Sequence, residues 1–192
     1  MMAMAWFSLF FIEFGALIEQ FLIGISDNVS MQTLPLESFQ KLFGSNIRAM
    51  LNWDLLKQHE ALIETMVIDT HDEIASLFTV WHIGMDGAPA SWDKAGACPL
   101  SIRETIAPSY QWNDQRKHTI SSFQNHYLSS PESVNLILPV YRVNTGYVLL
   151  DSTHRVVAVH QAGINFSAML VVINGPVDER ILPDLRWHTR NH

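Results

Sequence analysis

The feature that most constrains this chain is one continuous run near its C-terminal end, "NLILPVYRVNTGYVLLDSTHRVVAVHQAGINFSAMLVVING" (135–175). "NLILPVYRV" is an apolar strand, "NTG" supplies the residues of a tight hairpin turn, and "YVLLD" is the returning strand. Residues 153–162 have the character of a helix that stops at Gly163, and "AMLVVING" makes a third strand. Strand, hairpin, strand, helix, strand is the order of a sheet with a helix laid on it, so the fold class is α/β (α+β). With 192 residues, 48% apolar and 16% charged, the chain is globular and long enough for one substantial core.

The turn between the second strand and the helix carries "DSTHR" (151–155). Ser152 or Thr153 falls at the N-cap, and His154 and Arg155 fall in the first helical turn. The N–H groups and positive end of a helix attract anions, and hydroxyls with an arginine add directed donors to phosphate oxygens. Next to a phosphate, Asp151 is suited to hold Mg²⁺ or to orient an attacking hydroxyl or water. His154 is suited to proton transfer near neutral pH. The competing explanation is a capped helix whose His-Arg pair is merely exposed. Arg142, on the preceding strand, is placed either for a phosphate contact or for a salt bridge.

Before this run the pattern is looser. Placed on a helix, residues 1–25 are expected to be apolar and amphipathic, with Trp6, Phe7, Phe10, Phe11, Phe14, Leu17, Ile18, Phe21 and Leu22 on one side and Glu13 and Glu19 on the other. Crossing a membrane would bury both acids in hydrocarbon. Lying on a membrane surface fits the aromatic face but not the acidic one. Packing on the chain's own core, or on a second copy in a homodimer, needs no lipid. No Lys or Arg precedes Lys41, so the basic start of a secretory signal is missing.

The remainder, 26–192, is expected to be a single domain. "MQTLPLESFQKLF" (31–43) gives a short strand and then a helix beginning near Pro35. Residues 53–68 have helical spacing, and "THDEIASLFTVWHIG" opens a further helix that Gly84 ends. In "DTHDE" (69–73) a metal cluster and a capping box compete. Thr70 followed by Glu73 favours the capping box, as does Ser101 followed by Glu104. "QWNDQRKHTISSFQNHY" mixes basic and aromatic residues, which suits single-stranded nucleic acid or an amphipathic helix with a solvated face. The segment of about 45–130 is expected to be a helical insertion.

The net charge is −7, with four basic against twelve acidic residues in 1–96 and eight against seven in 97–192. Any phosphate contact therefore belongs to the C-terminal half. The one cysteine, Cys98, excludes an internal disulfide framework and fits a reducing compartment. No base neighbours it in sequence, so a loop or core thiol is favoured over a nucleophile.

The run "LPVYRVNTGYVLLDSTHRVVAVHQAGI" followed by a strand resembles the core of the ParB/sulfiredoxin superfamily. There a hairpin, a strand, Asp-Gly-x-His-Arg or Gly-Glu-Arg-Arg, a helix and a Gly bind nucleotide phosphates. "MQTLPLESFQKLF" is similar to the strand and helix that open that domain, with Glu37 where members often place an acid. The resemblance covers roughly 31–43 and 135–174. This chain has Ser152 where the family has Gly, and a serine lacks glycine's backbone freedom. His154 and Arg155 together look like the catalytic members. Sulfiredoxin's cysteine is replaced by Thr153, which excludes that chemistry.

The resemblance implies a small mixed sheet with helices, and three kinds of function. The foremost is that of the compact plasmid fertility-inhibition factors. These are ATP-hydrolysing DNases that block transfer of DNA through a conjugative type IV secretion system. On that footing Ser152, Thr153, Arg155 and Arg142 bind the nucleotide, and Asp151, His154, Arg155 and Glu37 are catalytic. Mg²⁺ sits on Asp151, and the partners are single-stranded or transferred DNA and a secretion-system or relaxase component. The setting is cytoplasmic, with residues 1–25 as the segment for inner-membrane association. The alternatives are a serine-type small-molecule kinase and a non-enzymatic protein docking on a membrane or secretion component.

Overall fold

The computed structural model describes residues 33–47, 49–107, 110–129 and 133–190. The expectations for residues 1–25, including lipid contact and dimerisation, lie outside the described residues. The strands are β1 (Thr33–Leu34), β2 (Leu62–Ile68), β3 (Phe78–Ile83), β4 (Pro89–Ala90), β5 (Cys98–Ser101), β6 (Val134–Val143), β7 (Gly146–Leu149) and β8 (Phe166–Asn174). The helices are α1 (Leu36–Phe43), α2 (Trp53–Gln58), α3 (His71–Ser76), α4 (Ile102–Thr105), α5 (Asp114–Leu128), α6 (Thr153–Gln161) and α7 (Arg186–Arg190), the last preceded by a 3₁₀ turn at Pro183–Leu185. The strands form one mixed eight-stranded sheet in the order β1-β2-β8-β6-β7-β3-β4, with β5 also on β3. The α/β class expected from the sequence is the class observed.

Strand β6 is the axis of the sheet. It pairs antiparallel with β7 through the hairpin and parallel with β8 over eight registered pairs, from Val134 opposite Phe166 to Tyr141 opposite Ile173. Side chains alternate across a strand, so Leu136, Leu138 and Val140 share one face with Ala168, Leu170 and Val172. Helix α6 lies on that face and buries Val156, Val157, Ala158 and Val159 completely. Each of those valines contributes on the order of 2 kcal/mol by leaving water. The other face carries Tyr141, Ile63 and Ile173, all fully buried. Tyr141 donates its hydroxyl to the Pro176 carbonyl at 2.7 Å. A Cβ on Gly175 would lie 2.6 Å from that hydroxyl oxygen, so only glycine fits there.

Two helical expectations are corrected. Residues 53–68 are not one helix: α2 ends at Gln58, Glu60 adopts a left-handed φ of 50°, and Leu62–Ile68 becomes β2, every residue of which pairs with β8. The β-branched Ile63, Thr65, Val67 and Ile68 suit that strand better than a helix. The helix at Thr70 stops at Ser76, well before Gly84. Leu77 turns extended (ψ 131°), and "FTVWHI" is β3. Consequently the segment of about 45–130 is not a purely helical insertion, because it supplies β2–β5 as well as α2–α5. Its β2 lies between β1 and β8, inside the sheet. Among the described residues no helix is long and apolar enough to cross a membrane.

Candidate functional site

Strand β7 delivers the chain to the start of α6 at Asp151, and Ser152 is the N-cap residue. Its backbone is left-handed, with φ 71° and ψ 8°, the conformation that glycine adopts most cheaply. The position at which the resembling motif has Gly is thus one where this chain does adopt glycine-like geometry, at a cost of about 1–2 kcal/mol for a residue with a Cβ.

Ser152 does not cap the helix with its side chain. Its hydroxyl accepts from the Arg155 guanidinium and donates to Asp151 Oδ2 at 3.3 Å, and Arg155 also pairs with Asp151 at 3.7 Å. Four other helix starts are closed by their own side chains, whereas α1 begins at Pro35, which has none to give. Asn52 caps α2, Thr70 caps α3, Ser101 caps α4 and Asn113 caps α5. At α6 the hydroxyl has been turned from the helix to the arginine, and it makes no cap to the first turn. Asp151 and Arg155 are about one-third exposed, whereas Ser152 and Thr153 are nearly buried. The Thr153 hydroxyl therefore has little access to an anion at the surface.

Aromatic residues that sequence reasoning did not assign to the site surround this corner. The His154 ring packs edge-on against Trp81, centroids 5.0 Å apart, and Trp81 meets Trp112 at 5.2 Å. The Arg116 guanidinium lies 4.4 Å from the Trp81 ring centre and donates to the Tyr110 hydroxyl at 2.9 Å. Burial pushes the Tyr127 phenol up, and the nearby Arg155 charge offsets part of that rise. Arg116, Trp112 and Tyr127 stood out in sequence as a basic-aromatic stretch. Nothing in the spacing ties them to 151–155, because the helical pattern expected up to Gly84 places Trp81 on a helix and not on β3. Phe123 and Tyr127 pack against the core, as an amphipathic helix requires, while Lys117 and His118 face solvent.

Two predicted residues are not brought to the corner. Arg142 forms the salt bridge that was one of its two expected uses, 2.8 Å from Glu64 on β2, and Asn174 donates to the same carboxylate at 3.3 Å. It stands opposite Tyr147 at the hairpin end of β7, the end away from Asp151. Glu37 is exposed in the first turn of α1, after β1. Strands β1 and β7 are four positions apart in the sheet, which at about 4.8 Å per spacing puts them about 19 Å apart. Among the described residues no three His, Cys, Asp or Glu side chains converge on a metal position. A single carboxylate such as Asp151 still matches the way Mg²⁺ is held together with substrate phosphates.

A second polar region was missed entirely. On β3 the residue after Trp81, His82, faces the other side of the sheet and lines a cavity of about 290 Å³ with Lys94, Cys98, Asp184, Arg186 and Trp187. His82 Nδ1 lies 3.8 Å from Asp184 Oδ1, too long for a hydrogen bond. Burial lowers the His82 pKa and pushes the Asp184 carboxyl up to about 6, so each group resists charging. The contact is not an ion pair at neutral pH. Cys98 is exposed on β5. Comparison with protein-family models, curated proteins and solved structures finds no match for this chain.

Proposed function

We propose that the corner at 151–155 binds the phosphates of a nucleotide, and that the protein hydrolyses ATP and cleaves DNA in the manner of the plasmid fertility-inhibition factor Osa, which it resembles. The observation that carries this is the start of α6. A serine held in left-handed backbone leaves the helix uncapped and hands its hydroxyl to an arginine. An anion approaching the helix end meets the amides of Thr153 and Arg155 and the Arg155 guanidinium, a charge-assisted donor suited to phosphate.

On this reading Arg155 exchanges its Asp151 and Ser152 partners for phosphate oxygens. The Asp151 carboxylate, released from the guanidinium, accepts a proton from the attacking water or holds Mg²⁺. When bound, Mg²⁺ would supply neutralisation of phosphate charge. His154, held by its packing on Trp81, passes the proton on. The edge formed by half-buried Trp112 with exposed Lys117 and His118 offers stacking and basic contacts for single-stranded DNA. Transferred DNA, a relaxase or a secretion component as partner, and action against conjugation, follow from the resemblance alone.

The test is ATP hydrolysis with Mg²⁺ by wild type, Arg155→Ala and Asp151→Asn, each also incubated with linear and single-stranded DNA. Hydrolysis and cleavage that both fall in the variants support the proposal. Phosphorylated serine, when serine is supplied, would turn it toward a small-molecule kinase. Activity absent from all three proteins, or unchanged by both substitutions, would leave a protein that works through contacts rather than catalysis.

A further inference from the structure

The sequence "DTHDE" suggested a metal cluster as well as a cap. The cap accounts for Thr70 and Glu73, but it makes no use of His71. His71 is the first residue of α3, and its ring reaches across to His160 in the last turn of α6. Their Nδ1 atoms are 3.3 Å apart, with ring centroids at 5.4 Å and planes inclined by 40°. Phe166 meets the His71 ring edge-on at 5.2 Å and limits its rotation. Both imidazoles are half-buried, ordered by their neighbours yet reachable from solvent.

Two neutral imidazoles that face each other through the same kind of nitrogen can form only one hydrogen bond, and only if one of them carries its proton on Nδ1. Without that proton, two lone pairs converge. Imidazole nitrogens bound to one tetrahedral Zn²⁺ at about 2.0–2.1 Å are separated by about 3.3–3.4 Å. The separation in this structure equals the bite of such a chelate, so the pair needs little rearrangement to take an ion. Beside it Asp72 pairs with Arg103 at 2.9 Å, and both of these side chains are mostly exposed. A surface pair of that kind is held weakly and leaves the carboxylate able to exchange partners.

We propose that His71 and His160 form a bidentate site for a borderline divalent cation of the Zn²⁺, Cu²⁺ or Ni²⁺ class, with water completing the shell. Imidazole donors select that class over Mg²⁺ and Ca²⁺, which take oxygen ligands. With two protein nitrogens the site is open rather than closed. The ion keeps positions for solvent or for a ligand from a second molecule. His160 lies seven residues along α6 from Thr153, so this site is about 10 Å along the helix axis from the start of the phosphate corner. It does not depend on that corner's function.

The experiment is a titration of chelator-stripped, full-length protein with Zn²⁺ alone, followed by calorimetry. It uses wild type, Cys98→Ser to remove the exposed thiol, His71→Ala, His160→Ala and, as a surface-histidine control, His118→Ala. Binding of one ion should persist in wild type, Cys98→Ser and His118→Ala, be unaffected by excess Mg²⁺, and weaken at least about tenfold in His71→Ala and in His160→Ala. Long-range ¹H–¹⁵N spectra of the wild type, independent of any variant's folding, should show Zn²⁺ shifting the ring nitrogens of both His71 and His160. Binding unchanged in both alanine variants, or ring signals of either histidine unmoved by Zn²⁺, would overturn the proposal and leave an N–H···N hydrogen bond between two helices.

Discussion

Two helices of this domain begin with similar letters and very different structure. Helix α3 starts at "DTHDE" and α6 at "DSTHR", each an acid, a hydroxyl and a histidine within five residues. At α3 the Thr70 hydroxyl accepts from the Glu73 amide, and the Glu73 carboxylate accepts from the Thr70 amide. The Thr70 hydroxyl also donates to that carboxylate at 2.6 Å and holds its pKa below the usual range. At α6 the left-handed Ser152 directs its hydroxyl to Arg155 and Asp151. The first helix start commits its Thr70 and Glu73 amides to the box. The second has no side-chain cap and sets a guanidinium and a carboxylate 3.7 Å apart beside it. Residue types alone do not tell the two starts apart; the backbone angle of the N-cap residue does.

The substitution that breaks this comparison most severely is Arg155→Ala. It should lower the rate of ATP hydrolysis at least about 100-fold, the scale of losing one directed donor to a charged transition state, with the thermal midpoint followed in parallel to confirm folding.

Asp184→Asn is next, and it separates pH effects on the fold from those at the corner. The folded pKa of Asp184 is raised to about 6 from an ordinary value near 3.8. The unfolded chain therefore loses this proton first as pH rises. Stability falls between about pH 4 and about pH 6 and is flat above. The variant lacks that fall, so by chemical denaturation its stability relative to wild type should increase by on the order of 1–3 kcal/mol from pH 4 to pH 7. His82, its pKa lowered by burial, acts in the opposite direction in both proteins.

Thr70→Ala should cost about 1 kcal/mol of stability, the worth of a cap, and leave hydrolysis unchanged. Ser152→Gly is the mildest. Relief of the left-handed strain, about 1 kcal/mol, is offset by loss of the hydroxyl's bonds, so the thermal midpoint should move by less than about 3 °C. Because glycine keeps the backbone, hydrolysis should stay within about threefold of wild type.

Much of the C-terminal architecture was legible in the sequence. The strand, hairpin, strand, helix, strand run from 135 to 175 is observed in that order, since its period-two apolar strands and its turn residues agree with the burial they receive. Both capping boxes were legible for the same reason, as they are local. The middle segment was not. In "ALIETMVI" and "FTVWHI" short apolar runs continue a helical spacing, and only the offer of an edge by β8 or β7 turns them into strands. That misassignment hid Trp81 and His82, which β3 sends to opposite faces, one to the corner beside His154 and the other to the cavity with Asp184. The Arg142–Glu64 pair and the His71–His160 pair join residues 78 and 89 positions apart, and no local pattern encodes such contacts.

The measurement that bears most directly on the difference between the two helix starts is a ¹H–¹⁵N amide titration of the full-length protein with ATP and Mg²⁺. The account predicts saturable shifts at the amides of Thr153 and Arg155, with those of Asp72 and Glu73 unmoved. Shifts as large at α3 as at α6, or none at 153 and 155 at saturating nucleotide, would contradict it.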